Sequence, residues 1–152
     1  MLKIITNPNQ ILRQKSQPVA NVANAEIKKL ISEMTEIMMT KDGVGLAAPQ
    51  IGQNIRLIVI NHKDEVLVII NPKIVKKSFF KEWGEEGCLS VPGKYGEVKR
   101  HKSITTKYID DKGKTQEVSA KGLLARVIQH EIDHLDGILF VDKVRGLHQL
   151  EK

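Results

Sequence analysis

The feature that most constrains this chain is the stretch of residues 129–137, in which two histidines stand four residues apart. At about 100° per residue of an α-helix, His130 and His134 point the same way, and Glu131 lies roughly 80° to one side of them. Two imidazoles in this arrangement can hold one metal ion, and the adjacent carboxylate can take a proton from metal-bound water. The stretch therefore predicts the second half of a buried, metal-binding helix.

The rest of this helix is apolar on almost every side. Leu123 and Val127 share the face of the two histidines, and a second apolar stripe adjoins that face. This stripe consists of Leu124, Ile128, Ile132 and Leu135. The only polar edge of the helix consists of Arg126, Gln129 and Asp133. A helix of this kind lies in a core, so we expect the metal pair at the base of an apolar pocket that Leu123 and Val127 line.

The third ligand has to come from another part of the chain, because two histidines at this spacing can also be ordinary core residues. One protease pattern requires a third histidine where this chain has Phe140, and Glu151 near the C-terminus is a poor candidate. Cys88, the only cysteine, could be a small buried apolar residue, but Gly84 and Gly87 suit a chain that bends closely around an ion. A thiolate with two imidazoles leaves a fourth position open for water, which is typical of a catalytic site.

Three stretches together resemble the signature motifs of peptide deformylases, in the order found in that family. They are GVGLAAPQ at residues 43–50, EGCLS at residues 86–90 and QHEIDH at residues 129–134. The resemblance extends from about residue 7 to residue 141. It implies a metal-dependent hydrolase that removes the N-formyl group from the N-terminal methionine of newly made polypeptides and releases formate.

The resemblance also implies roles for individual residues. The ion would be held by Cys88, His130 and His134. Thiolate and imidazole suit Fe(II), Zn, Ni or Co, and the resemblance favours Fe(II) in the cell. Glu131 would accept a proton from the attacking water and pass it to the departing amine. The side-chain amide of Gln50 and the backbone N–H of Leu89 would stabilise the oxyanion.

Further positions follow from the same resemblance. The backbone of residues 43–50 would pair with the substrate peptide as an added strand. The expected substrate-binding residues are Val44, Gly45, Leu123 and Val127, with the methionine side chain in the apolar pocket. Glu86 is expected to orient a metal ligand, paired with Arg100.

The order of elements predicts an α+β fold. Helical spacing over residues 24–40 predicts a helix that Asn24 caps and Gly43 ends, and residues 43–50 are expected to form a loop. Short β-branched or alternating runs predict strands at residues 56–60, 66–70, 78–86, 101–109 and 115–119, the last two as a hairpin. We therefore expect one domain over residues 1–152, with antiparallel β-sheets packed around the central metal-binding helix and an N-terminal helix.

Composition limits the setting of the chain. No apolar run reaches membrane length, no secretory signal is recognisable, and a single cysteine fits a reducing compartment, so the expected location is the cytoplasm. The net charge is +6, but aromatic residues make up only 4%, so we expect solvated lysines rather than a stacking platform for nucleic acid, and no DNA or membrane partner. The resemblance adds N-formylmethionyl nascent peptides as substrates and a weak attraction to the ribosome.

Two alternatives remain open from the residues themselves. The chain could be another metal-dependent amide hydrolase, such as a small peptidase, because the ligand spacing says nothing about a formyl group. It could also be a basic, non-enzymatic metal protein.

Overall fold

The computed structural model describes residues 3–149, which form two antiparallel sheets around one buried helix. The helices are α1 (Ala25–Thr40) and α2 (Gly122–Leu135). The strands are β1 (Gly45–Ala47), β2 (Leu57–His62), β3 (Glu65–Lys77), β4 (Lys81–Cys88), β5 (Val91–His101), β6 (Ser103–Ile109), β7 (Thr115–Lys121) and β8 (Val144–Gln149). Short 3₁₀ turns occupy Gln10–Arg13, Ala48–Ile51 and Phe140–Asp142. The α+β class and the sheets around the metal helix are confirmed, whereas Glu151 lies outside the described residues.

The two sheets differ in size and in strand order. The larger has the strand order β1-β2-β3-β6-β7, and the smaller has the order β4-β5-β8. The predicted hairpin is confirmed as β6 and β7, with Ile109 paired to Thr115. Strands β5 and β8 were not predicted from the sequence. Neither α-helix of the described chain is long and apolar enough to cross a membrane.

Helix α1 begins as predicted, but it ends differently. The Asn24 side chain accepts a hydrogen bond from the backbone N–H of Glu26 at 2.8 Å. At the other end, Asp42 rather than Gly43 adopts the left-handed conformation, with φ of 54°. The Gly43 N–H donates to the Met38 carbonyl at 2.8 Å, which closes the last turn. The expectation that Gly43 ends the helix is therefore wrong by one residue.

The expectation of a loop over residues 43–50 is also wrong. Its middle forms β1, in which Leu46 pairs with Val59 of β2, and its end forms the 3₁₀ turn Ala48–Ile51. Leu46 and Ala47 are fully buried, so this segment belongs to the core. A short buried strand followed at once by a 3₁₀ turn has too few residues to show a period in the sequence.

Helix α2 is fixed at its C-terminal end by a glycine. Gly137 has φ of 76°, its N–H donates to the His134 carbonyl, and the Ile138 N–H reaches the Asp133 carbonyl at 2.9 Å. A Cβ at residue 137 would lie 2.5 Å from the carbonyl oxygen of Arg13, because the N-terminal segment crosses the helix end there. This crossing holds α2, and with it the histidines, in place.

Candidate active site

Three ligand atoms from two distant parts of the chain meet inside the molecule. Cys88 ends β4, and His130 and His134 lie on adjacent turns of α2. The Cys88 Sγ is 3.2 Å from His134 Nε2, and one ligand atom from each of the three residues lies within 4.8 Å of the others. Around a tetrahedral ion with bonds of 2.0–2.3 Å, ligand atoms stand about 3.5 Å apart. The donor set and its spacing therefore fit a metal ion, as the sequence predicted.

Glu86 orients one of the two histidines. Its Oε1 lies 2.9 Å from His130 Nδ1, and since a carboxylate only accepts, Nδ1 carries the proton and Nε2 faces Cys88 and His134. Burial alone would raise the pKa of Glu86, but hydrogen bonds from His130 and Arg100 hold it far below its usual range. Glu86 is therefore a carboxylate, and it fixes the ring of a histidine that could bind a metal ion.

Two arginines, the buried Arg100 and the partly buried Arg126, hold Glu86 in turn. Arg100 on β5 donates from Nε and Nη2 to the two carboxylate oxygens at 3.0 and 2.9 Å, which is the expected pair. Arg126 on α2 donates from Nη1 to Glu86 Oε2 at 2.7 Å and was not predicted in this role. It lies four residues before His130 on the same helix, so helical spacing could have suggested it. Arg100 also reaches Asp133, which ties β5 to α2 a second time.

Glu131 stands in a different environment from Glu86. Its Oε1 is buried and has no hydrogen-bond partner among residues 3–149. Burial raises its pKa to about 7, with the charge of His130 acting in the opposite direction. A buried polar atom without a partner is rare and points to an absent ligand. A carboxyl group with a pKa near neutrality can both accept and return a proton.

Gln50 is fixed beside the Cys88 thiol by a hydrogen bond from the backbone three residues earlier. Its Oε1 accepts from the Ala47 N–H at 2.9 Å, so the amide nitrogen points the other way. That Nε2 donates to the Ser90 hydroxyl at 3.1 Å and lies 3.6 Å from Cys88 Sγ. Ser90 is fully buried, and the sequence analysis placed it in the EGCLS motif without giving it a role, because its partner Gln50 is remote in sequence. The arrangement places an uncharged donor next to the ligand set.

These groups open into one pocket with a volume of about 650 Å³. All the expected substrate-binding positions line it, namely Val44, Gly45, Leu123 and Val127, and so does Leu89. Leu123 is 68% exposed and Val44 51% exposed, so both lie at the rim of the pocket, whereas Val127 lies deep. A Cβ at residue 45 would lie 2.8 Å from Glu131 Oε2, so glycine is needed there.

Comparison with known proteins gives one consistent result. A sequence model of the family described as polypeptide deformylase matches residues 1–150. The peptide deformylase of Symbiobacterium thermophilum is 45% identical over 100% of this chain and 70% of that protein. That of Thermoanaerobacter pseudethanolicus is 47% identical over 95% of this chain and 90% of that protein. The crystal structure of a peptide deformylase from Synechococcus elongatus in complex with actinonin has a TM-score of 0.92 at 44% identity, covering 95% of this chain and 79% of that one.

Proposed function

The chain belongs to the peptide deformylase family, whose members hydrolyse the N-formyl group from the N-terminal methionine of new polypeptides, and we propose that the residues described above carry out this reaction within one catalytic domain. One observation carries the assignment. The ligand atoms of Cys88, His130 and His134 lie together, and Cys88, His130 and Glu131, whose Oε1 has no hydrogen-bond partner among residues 3–149, line a single pocket.

Cys88, His130 and His134 would hold a divalent ion, which supplies Lewis-acid chemistry by lowering the pKa of water and polarising a carbonyl group. We propose Fe(II), with Zn, Ni and Co as alternatives, because a thiolate and two imidazoles suit all four. Elemental analysis of anaerobically purified protein tests the identity. Iron should be present at about one equivalent per chain. Exposure of the protein to air should lower its activity, because the iron or the Cys88 thiol oxidises.

Glu131 would move the proton. Its carboxylate accepts a proton from the water that attacks the formyl carbon, and it then passes that proton to the departing methionine nitrogen. The observation in support is its burial beside the ligands with one oxygen unpartnered. Formate and the free amine are the products, so atoms balance without any other reactant.

Gln50 and Leu89 would stabilise the negative charge that develops on the formyl oxygen. The Gln50 amide already points its donor toward the ligand set, and a neutral donor does not compete with Glu131 as a base. The backbone N–H of Leu89, the residue after Cys88, would be the second donor. The formyl oxygen is thus placed on the Cys88 side of the pocket, and the attacking water on the Glu131 side.

The substrate peptide would lie across the edge of β1, with backbone hydrogen bonds at Val44 and Gly45. Its methionine side chain would contact Val127 in the pocket and Leu123 at the rim. We further propose that the reaction takes place in the cytoplasm, on nascent chains, with only weak attraction to the ribosome. Cosedimentation with ribosomes at low and high salt tests the last point.

The decisive experiment compares wild-type protein with Glu131→Gln, which keeps the shape of the side chain but removes the base. Formate release from a formyl-Met peptide should fall by roughly 10²–10⁴-fold while the metal content stays unchanged. The same preparations are assayed on the unformylated peptide. Cleavage of a peptide bond there, or unchanged formate release by the variant, would contradict the proposal.

A further inference from the structure

A rigid turn between β3 and β4 exposes two phenylalanines at the corner where both sheets meet. Phe79 is 91% exposed and Phe80 is 70% exposed, and their rings contact each other edge to face, 5.4 Å between centroids. Trp83, further along β4, is covered by the Arg145 guanidinium at 3.6 Å. The two phenylalanines thus remain the large apolar surface of this corner, and such surfaces mark interaction sites.

The turn that carries the phenylalanines is held on several sides. Ser78 donates its hydroxyl hydrogen to the Phe80 carbonyl at 2.7 Å and accepts from the Ser103 N–H at 3.2 Å. The Lys102 N–H donates to the Phe80 carbonyl, and His101 Nδ1 lies 2.7 Å from the Ser78 carbonyl. These hydrogen bonds therefore fix the conformation of the turn that exposes the two rings.

Lysines surround this turn, and we call the whole set the basic corner. Strand register places Lys77 opposite Ile104, Lys121 opposite Ser103 and Lys81 opposite His101. The basic corner comprises Lys76, Lys77, Phe79, Phe80, Lys81, Lys102 and Lys121. All five lysines are exposed, and the three segments that supply them, residues 73–81, 99–107 and 118–126, contain no aspartate or glutamate.

The positive charge of the basic corner is not neutralised by ion pairs within the molecule. In the part of the chain that the structure describes, the lysines that form ion pairs are Lys29 and Lys143. Both lie outside the corner, so its lysines are available to an anionic partner.

A cleft of about 430 Å³ with Ile104 and Ala120 in its lining adjoins the phenylalanines. It is lined by Lys76, Lys77 and Lys121 together with the hydroxyl-bearing residues Ser78, Ser103, Thr105 and Ser119. Lysines and hydroxyl groups are the usual partners of phosphate oxygens, and exposed aromatic rings are the usual partners of unpaired bases. A cleft edged by lysines and hydroxyl groups beside two exposed rings suits a flexible strand better than a flat bilayer.

From this juxtaposition of an exposed phenylalanine pair, a lysine cluster and a hydroxyl-lined cleft, we propose that the basic corner binds single-stranded RNA. The phosphates contact Lys76, Lys77 and Lys121, and one or two bases stack on Phe79 and Phe80. The exposed hydroxyl groups of Ser103 and Ser119 beside the phosphates can contact ribose 2′-hydroxyl groups. The proposal departs from the expectation, drawn from the low aromatic content, that the chain has no stacking platform.

The basic corner lies away from the pocket. It adjoins the start of β4, and Cys88 lies at the end of that strand, roughly 25 Å away for eight residues at about 3.3 Å each. A short formylated peptide and an RNA strand should therefore bind independently, and the proposal does not rest on the assigned catalytic roles.

The test measures fluorescence anisotropy of a labelled 12-nucleotide RNA without secondary structure, titrated with the full chain at several salt concentrations. Two variants separate the two contributions. Phe79→Ser with Phe80→Ser should weaken binding about fivefold or more and leave the salt dependence unchanged, because stacking is lost and the charges remain. Lys77→Glu with Lys121→Glu should weaken binding at least tenfold at low salt and flatten the salt dependence.

The matched control is Lys15→Glu with Lys28→Glu, which changes the net charge by the same amount at exposed positions outside the corner. It should weaken binding less than threefold. Turnover of a short formyl-Met peptide should be unchanged in all three variants, which shows that they fold.

Several results would overturn the proposal. They are absence of RNA binding at micromolar protein, equal weakening in the control and the Lys77/Lys121 variant, or undiminished binding after loss of both phenylalanines. Binding to DNA of the same sequence as tightly as to RNA would overturn the assignment to RNA. Binding to phosphatidylserine vesicles without binding to RNA would instead identify a lipid surface.

Discussion

The two sides of helix α2 are packed in opposite ways. The side toward the five-stranded sheet is apolar, and Ile128 and Leu135 are fully buried in a cluster with Ile58 and Ile69. The side toward the three-stranded sheet carries charge, and Glu86, Arg100 and their partners connect it to β4 and β5. Apolar contacts are non-directional and hold the helix in place, whereas hydrogen-bonded charges fix the orientation of a ring. The apolar side therefore contributes to stability alone, whereas the charged side contributes both to stability and to ligand geometry.

The largest effect is expected on the charged side. In Glu86→Ala, the buried Arg100 and the partly buried Arg126 lose their shared carboxylate, which should lower the free energy of unfolding by about 3–5 kcal/mol. Because His130 also loses the group that orients it, metal affinity or activity should fall by roughly 10–100-fold. Urea unfolding and metal analysis after gel filtration measure the two losses. Full metal content in the variant would show that Glu86 only supports the fold.

An intermediate effect is expected on the apolar side. Ile128→Ala leaves a cavity against the five-stranded sheet and should lower the free energy of unfolding by about 2–5 kcal/mol. Metal content and the KM for a formyl-Met peptide should stay the same below the unfolding transition, because the Ile128 side chain packs in the apolar cluster and takes no part in the hydrogen-bonded network around Glu86. A changed metal content would mean that the two sides are not separable.

The smallest effect is expected for Arg126→Met, which keeps the apolar part of the side chain and removes one of the two guanidinium groups that donate hydrogen bonds to Glu86. Losing this partly buried hydrogen-bonded charge should lower the free energy of unfolding by about 1–3 kcal/mol. Activity should fall severalfold, with kcat affected more than KM, since Glu86 is held less firmly. If activity equals that of the wild type, Arg100 alone is sufficient to position Glu86.

The same division explains what the sequence could predict. The two helices, the β6–β7 hairpin and the three ligand candidates follow from periodicity and motif spacing, because apolar residues face a core there. Strand β5 was missed because its buried positions include Gly96 and Arg100, which face a neighbouring strand and an ion network instead of apolar packing. Strand β8 is exposed along almost its whole length and shows no alternation. The role of Ser90 was missed because its partner Gln50 is remote in sequence, whereas Arg126 could have been found from its place one turn before His130.

The pocket lies between β1 and β4, and each of these strands pairs on one side only within residues 3–149. An occupant that hydrogen-bonds to both would join two sheets that are otherwise linked mainly through α2. Binding of a ligand in the pocket should then make the arrangement of the two sheets more rigid. Backbone amides of both edge strands should exchange with deuterium more slowly in the occupied protein, and the melting temperature should rise with guest concentration.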